Sequence, residues 1–214
     1  MKITKITSQI KKPGRFNVFL DEQFWLGVSA DTLARFKLYD GLELSDNDAS
    51  EITKAEIRSR LIERAYTYVS RSMKPRAKVR MYLKNLLFKK KGDWLGDFNV
   101  KSFEETIEEI LDSLEKTGAI DDAAFAKSFV EIRANRKQRS HSVIMKELLQ
   151  KGINRETAEN AISDSGCSDL EMLKTLLTKK YGNIEVDSKD KKKVRYILGK
   201  GFSWEIISQL TAHD

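Results

Sequence analysis

"KGINRETAENAI" (151–162) and "KGFSWEIISQL" (200–210) decide how this chain is to be read. Each opens with Lys-Gly and a large apolar residue, Ile153 or Phe202. An N-cap residue follows, Asn154 or Ser203, and then an amphipathic run. A basic amphipathic stretch precedes each, "HSVIMKELLQ" (141–150) and "KDKKKVRYIL" (189–198). A fainter third copy runs from "KVRMYLKNLL" (78–87) to "SFEETIEEIL" (102–111), with an insertion over 88–101 in place of the Lys-Gly turn. Self-similarity at roughly 50 residues marks tandem helical units, none of which can bury its apolar face alone.

Outward from these segments the pattern holds. From residue 46 onward the apolar positions keep a helical period. "SFEETIEEILDSLEKTG" (102–118) predicts a helix with a Ser102–Glu105 capping box, a buried stripe of Ile107, Ile110, Leu111 and Leu114, and a stop at Gly118. Asp121 is placed to cap the next helix, with Ile120 and Phe125 as a staple and Phe125, Phe129 and Ile132 on its buried face. The first fifty residues differ. Ile3, Ile6 and "RFNVFLDEQFWLGV" (15–28) are rich in strand formers, with a turn at "DEQ", and "SADTLARFKL" (29–38) predicts a short helix capped by Ser29. The expected fold is mainly α: a β-rich cap (1–50) followed by three-helix repeats over 51–120, 121–166 and 167–214.

The 214 residues, 40% hydrophobic and 33% charged with two prolines, suit a chain folded throughout. A single cysteine, Cys167, excludes an intrachain disulfide and suits a reducing cytosol. There is no apolar run of signal-peptide or membrane-span length, so a soluble, cytoplasmic protein is expected; a monomer is expected as well. The net charge of +7 matters less than its distribution. Residues 54–91 carry net +11, 92–125 net −8, 126–155 net +6, 156–173 net −5 and 174–200 net +6. Basic and acidic helices alternate in step with the repeats.

Catalytic chemistry has little to work with. His141 and His213 lack metal-ligand neighbours at helical spacing, Cys167 has no histidine near it in sequence, and no phosphate-cradling glycine loop is present. Asp121 and Asp122 point about 100° apart on a helix, so capping and the helix dipole explain them better than a shared metal. No catalytic residue, metal or cofactor is expected. Trp25, Trp94 and Trp204 are read as packing residues, Trp94 on the insertion.

The basic stretches are the candidate site. In "KPRAKVRMYLKNLLFKKK" (74–91), burying Val79, Tyr82, Leu83 and Leu86 sends Lys74, Arg80 and Lys84 to the opposite face, with Arg76 and Lys78 on its flanks. Arg71 stands just before it. Arg133, Arg136, Lys137, Arg139 and Lys146 recur around the second unit's middle helix, and Lys191, Lys192 and Arg195 around the third's. Stacked repeats align equivalent helices into a basic track that attracts phosphates or an acidic protein surface; charge alone does not separate the two. A membrane is disfavoured because the core requires the apolar stripes.

At "YVSRSMKPRAKVRMYL" (68–83), "LEKTGAIDDAAFAKSFVEIR" (114–133) and "IMKELLQKGINRETAENAI" (144–162) the chain resembles the RecX family of bacterial recombination regulators. Ser70-Arg71, Gly118 through Asp122 with Phe125-Ala126, and Glu147-Leu148 with Lys151-Gly152-Ile153 carry the resemblance. Many relatives have a glycine before the second middle helix, where this chain has "QRSHS" (138–142). The resemblance implies tandem three-helix repeats in a curved, elongated array. It also implies docking into the groove of the RecA–single-stranded-DNA filament, with restraint of filament growth, ATP hydrolysis and strand exchange. The implied partners are a RecA-type recombinase filament and single-stranded DNA, with double-stranded DNA an alternative through the same phosphates. The acidic helix carrying Glu104, Glu108 and Asp112 is expected to face outward or to neighbour a basic RecA surface.

Overall fold

The computed structural model describes residues 1–90, 99–136 and 138–211, which cluster into two compact units. One comprises 1–71 and 79–119, the other 72–78 and 120–214.

The first unit begins with an antiparallel sheet of order β1-β2-β3, formed by Ile3–Ser8, Arg15–Leu20 and Gln23–Ser29. The β2–β3 loop is Asp21-Glu22, both at positive φ (47° and 67°), the backbone sign of the tight hairpin turn whose twist matches the strands. Thr4 Oγ1 accepts from the Glu22 N–H, and Asp21 accepts from the Lys2 N–H, which offsets part of the strain of that turn. Ile3, Val18, Leu20, Leu26 and Val28 pack with Leu38, Leu44 and Ile52. Helix α1 (Ala30–Arg35) is capped by Ser29 as expected, and α2 (Asp46–Val69) by a Ser45–Asp48 capping box.

A buried carboxylate joins these pieces. Glu56 of α2 is fully buried and accepts from the Ser29 N–H (2.9 Å), the Thr32 hydroxyl (2.9 Å), Arg60 Nε (2.9 Å) and Arg15. Arg15 and Arg60 also donate to the Gly27 carbonyl. Burial pushes the Glu56 carboxyl up, but the Ser29 N–H and the two guanidiniums outweigh it and hold the group below its ordinary value.

Helices α3 (Arg76–Lys89) and α4 (Glu104–Lys116) follow, with the boundary between units falling inside α3. On α3 the fully buried residues are Val79, Leu83 and Leu87; Leu86 is only half-buried, one position off the expected stripe. Helix α4 buries Ile107, Ile110, Leu111 and Leu114 as expected and ends at Gly118, φ +69°. Its expected Ser102–Glu105 capping box does not form. A 3₁₀ turn, Val100–Phe103, takes up Ser102, whose hydroxyl donates to the Asn99 carbonyl at 2.7 Å, and Phe103 occupies the cap position.

Among its described residues the second unit has helices and, apart from them, an isolated bridge between Val186 and Thr211. Its helices are α5 (Asp122–Glu131), α6 (His141–Gln150), α7 (Arg155–Ser163), α8 (Asp169–Tyr181), α9 (Lys191–Gly199) and α10 (Trp204–Ser208). Asp121 and Asn154 cap α5 and α7 through their side chains; Ser203 holds the cap position of α10 without that bond. A π-helical turn, Ile132–Arg136, continues α5. The buried stripe runs through Ala126, Val130 and Ala134, one position on from the expected Phe125 and Phe129, which are half-buried, and Ile132 is exposed rather than buried. Trp204 is also half exposed, not a core residue. Gln138 adopts φ +42°, supplying at "QRSHS" the left-handed backbone for which glycine is the easier residue. Ile144, Leu148, Ile153, Leu173, Leu177, Ile197 and Phe202 belong to one core running through α5–α10.

Two contacts recur between successive three-helix segments. Asp122, the first residue of α5, accepts the backbone N–H of Arg76, the first residue of α3, at 2.8 Å; Asp169, first in α8, accepts that of His141, first in α6, also at 2.8 Å. Each aspartate thus satisfies an orphan donor at a neighbouring helix start. The two Lys-Gly turns repeat as well. A Cβ on Gly152 would lie 2.3 Å from the Ala77 Cβ, and one on Gly201 would lie 2.2 Å from Val143 Cγ2. Both glycines have positive φ, 85° and 93°.

Glu56→Ala is expected to lower stability by about 3–5 kcal/mol, since two guanidiniums lose their buried partner. The Glu56 contribution is present above the ordinary carboxylate value of 4.5 and fades as pH falls through the depressed folded value. Urea unfolding of the wild type and Glu56→Gln at stepped pH should therefore show a shallower acid slope in the variant. Gly152→Ala should destabilise the second unit by more than about 1 kcal/mol, from the clash with Ala77 and the backbone strain together. Hydrogen exchange of the α6 and α7 amides reads this directly; unchanged protection would contradict the close approach.

Candidate nucleic-acid interface

The expected basic residues divide by the company they keep. On α3, Arg80 Nη2 meets Glu108 Oε2 at 2.5 Å and Lys84 Nζ meets Glu104 Oε2 at 2.7 Å. On α2, Arg58 lies 3.5 Å from Glu109. The acidic face of α4 therefore turns toward its basic neighbours rather than outward, at least for Glu104, Glu108 and Glu109. Much of the charge alternation in the first unit is internal complementarity, and these half-exposed pairs leave Arg80 and Lys84 less potential to offer a partner. Tyr68 and Tyr82 stack face to face beside them, centroids 4.1 Å apart and 7° from parallel.

In the segment 72–78, Lys74 contacts the Ser72 hydroxyl, Arg76 is half-buried at the start of α3, and Lys78 is exposed. Arg71, in the first unit, is exposed as well. In the second unit Arg133 lies 2.6 Å from Glu147 Oε2, an ionic contact without an aligned hydrogen bond, and its guanidinium stands 4.7 Å over the Phe129 ring. Lys151 stands 5.3 Å from the same ring centroid, so Phe129 is flanked by two cations. Lys146, Lys191, Lys192 and Arg195 are exposed. Lys137 lies outside the described residues, as do Trp94 and His213.

Arg136 and Arg139 are brought together with residues that sequence reasoning did not select. They line a cleft of about 580 Å³ with Gln138, Leu176, Lys179, Lys180, Tyr196 and Lys200. The Lys180 ammonium sits 3.1 Å from the Tyr196 ring centroid and the Lys200 ammonium 5.3 Å from it. Tyr181 meets Tyr196 edge to face at 6.3 Å. Arg139 Nη1 donates to the Gly199 carbonyl (3.3 Å), and its buried Nε has no hydrogen-bond acceptor among the described residues. Lys179 and Lys180 close α8, where cations complement the helix dipole, and Lys200 belongs to the Lys-Gly turn. Each had a sufficient local explanation in the sequence, which is why none stood out.

The acidic pair near the start of α5 is fully used by the backbone. Asp121 caps its own helix through the Ala124 N–H (2.8 Å), and Asp122 caps α3. Among the described residues no three His, Cys, Asp or Glu side chains come together as a metal site. Likewise none of the described helices is long and apolar enough to cross a membrane.

Residues 121–162 match the family described as RecX, second three-helix domain, and residues 1–45 match the regulatory protein RecX N-terminal domain. Over 210 residues the chain is 30% identical to the regulatory protein RecX of Bacillus subtilis (strain 168), spanning 96% of this chain and 74% of that one. The chain belongs to the RecX family. The regulatory protein RecX of Limosilactobacillus reuteri (strain DSM 20016) is 28% identical over 213 residues, 98% of this chain and 75% of that protein. A crystal structure of regulatory protein RecX superimposes with a TM-score of 0.65 at 28% identity, covering 98% of both chains. RecX from Lactobacillus salivarius gives 0.56 at 27% identity over 73% of this chain and 95% of that one. The fold of this chain is thus similar, over 98% of both chains, to that of a RecX protein that shares 28% of its residues.

A double-mutant cycle on Arg80 and Glu108 is expected to return a coupling of about 0.2–1 kcal/mol that shrinks with added salt. Denaturant unfolding at low and high ionic strength measures it. A coupling that salt leaves unchanged would contradict a screened surface pair.

Proposed function

We propose that this RecX-family chain is a non-enzymatic regulator that binds a RecA-type recombinase filament on single-stranded DNA and restrains its activity and strand exchange. Membership of a family of regulatory proteins is the observation that carries the reading. The exposed Arg71, Lys78, Lys146, Lys191, Lys192 and Arg195 support it, because they recur from one three-helix segment to the next and suit a polyanionic surface. On this proposal the second unit contributes Lys74, Arg76, Arg136 and Arg139 as well, and the first unit, by itself, contributes Arg71. Arg80, Lys84 and Arg133 contribute less, each having a carboxylate beside it. Attachment of this kind needs no catalytic step, so regulation follows from occupancy of the filament. The three repeats over 51–120, 121–166 and 167–214 are the proposed units of attachment.

The decisive experiment measures RecA-type ATPase on single-stranded DNA with the pure chain added below stoichiometry. Inhibition at low salt that weakens as salt rises is expected. No inhibition at any salt overturns the filament reading. Tight binding to bare DNA with no preference for filaments would favour a general nucleic-acid binder instead.

A further inference from the structure

The cleft beside α8 and α9 has a counterpart one repeat earlier, and the two differ in charge. Asp122 and Asp169 make the same contact and so align α5 with α8; on that alignment Arg133 corresponds to Lys180. Gly152 and Gly201 likewise align α6 with α9, and there Glu147 corresponds to Tyr196. In the earlier repeat the cation meets a carboxylate, Arg133 with Glu147 at 2.6 Å. In the later one the Lys180 ammonium stands 3.1 Å from the centroid of the Tyr196 ring. An aromatic face attracts a cation without neutralising it. Around that ring the cleft gathers Arg136, Arg139, Lys179 and Lys200, and no carboxylate is among its described lining residues.

Clustered cations repel one another, and the cluster is most stable with an anion among them. We infer that this cleft is a phosphodiester site, where a single-stranded DNA backbone places a phosphate among Arg136, Arg139, Lys179, Lys180 and Lys200. The inference deepens the function proposed above by naming its DNA-facing site. Three features favour a nucleic-acid strand over an acidic peptide. Guanidiniums offer planar forks that suit phosphate oxygens, and the buried Arg139 Nε–H has no acceptor among the described residues. The volume of about 580 Å³ falls in the range that holds a ligand of nucleotide size. Basic side chains around an aromatic ring and an apolar floor, here Tyr196 and Leu176, are the composition of single-strand grooves.

The test follows fluorescence anisotropy of a labelled oligothymidylate of about 15 nucleotides with the full chain, over roughly 50–200 mM salt. Lys179→Gln, Lys180→Gln and Lys200→Gln combined should weaken binding at least about tenfold at low salt and flatten the log–log salt slope by about 2. The triple Arg variant at the same positions should keep both affinity and slope, and a Lys11→Gln, Lys12→Gln control in the first unit should bind like wild type. Melting curves matched to wild type establish that the variants fold. Wild-type affinity and slope in the triple Gln variant would overturn the inference. So would a glutamate-rich peptide that displaces the oligonucleotide as well as unlabelled oligothymidylate does, since the cleft would then be a protein site. The oligonucleotide assay contains no recombinase, so the two readings fail separately. Lost ATPase inhibition with intact oligonucleotide binding sinks the cleft and keeps the filament reading. Lost oligonucleotide binding, with a wild-type chain inert toward ATPase, does the reverse.

Discussion

The first N–H of a helix has no partner within that helix, and in this protein the next three-helix segment supplies one. Asp122 accepts from Arg76 and Asp169 from His141, each at 2.8 Å. The adjacent Lys-Gly turns bring the backbone so near the same helix starts that a methyl group at Gly152 or Gly201 would overlap Ala77 or Val143. A hydrogen bond fixes direction and a glycine fixes distance, so register follows from a few atoms. The repeated motif residues are therefore joints. That also accounts for the acidic pair at 121–122, where one carboxylate serves its own helix and the next serves a neighbour.

Charge is handled in two ways on this frame. Glu56 is buried with two arginines and three elements of secondary structure converging on it, and it ties the sheet to α2. Arg80, Lys84 and Arg133 sit beside carboxylates, so part of the basic character in the sequence is answered by the protein's own acidic side chains. Where Tyr196 stands in place of the carboxylate equivalent to Glu147, that internal balance stops and a basic cleft opens. An aromatic ring in place of a carboxylate thus separates a cation held in an ion pair from one able to take a ligand.

Local rules were legible in the sequence wherever local atoms decide. Ser29, Asp121 and Asn154 cap their helices because a cap needs only the next turn, and the stripe of α4 is buried as its spacing implies. Ser102 failed as a cap because the chain enters α4 through a 3₁₀ turn, a change in backbone winding that a fixed helical period does not anticipate. Ile132 failed as a core residue because the buried stripe runs one position later, through Ala126, Val130 and Ala134.

The sequence by itself determined the mainly helical fold and its small N-terminal sheet, because periodicity, caps and glycines act over a few residues. Tertiary structure alone decided which basic side chains meet a carboxylate and which surround an open cleft. Lys180 and Tyr196, like Arg133 and Glu147, are distant along the chain, and only the packing of α8 on α9, and of α5 on α6, determines whether a positive charge is answered.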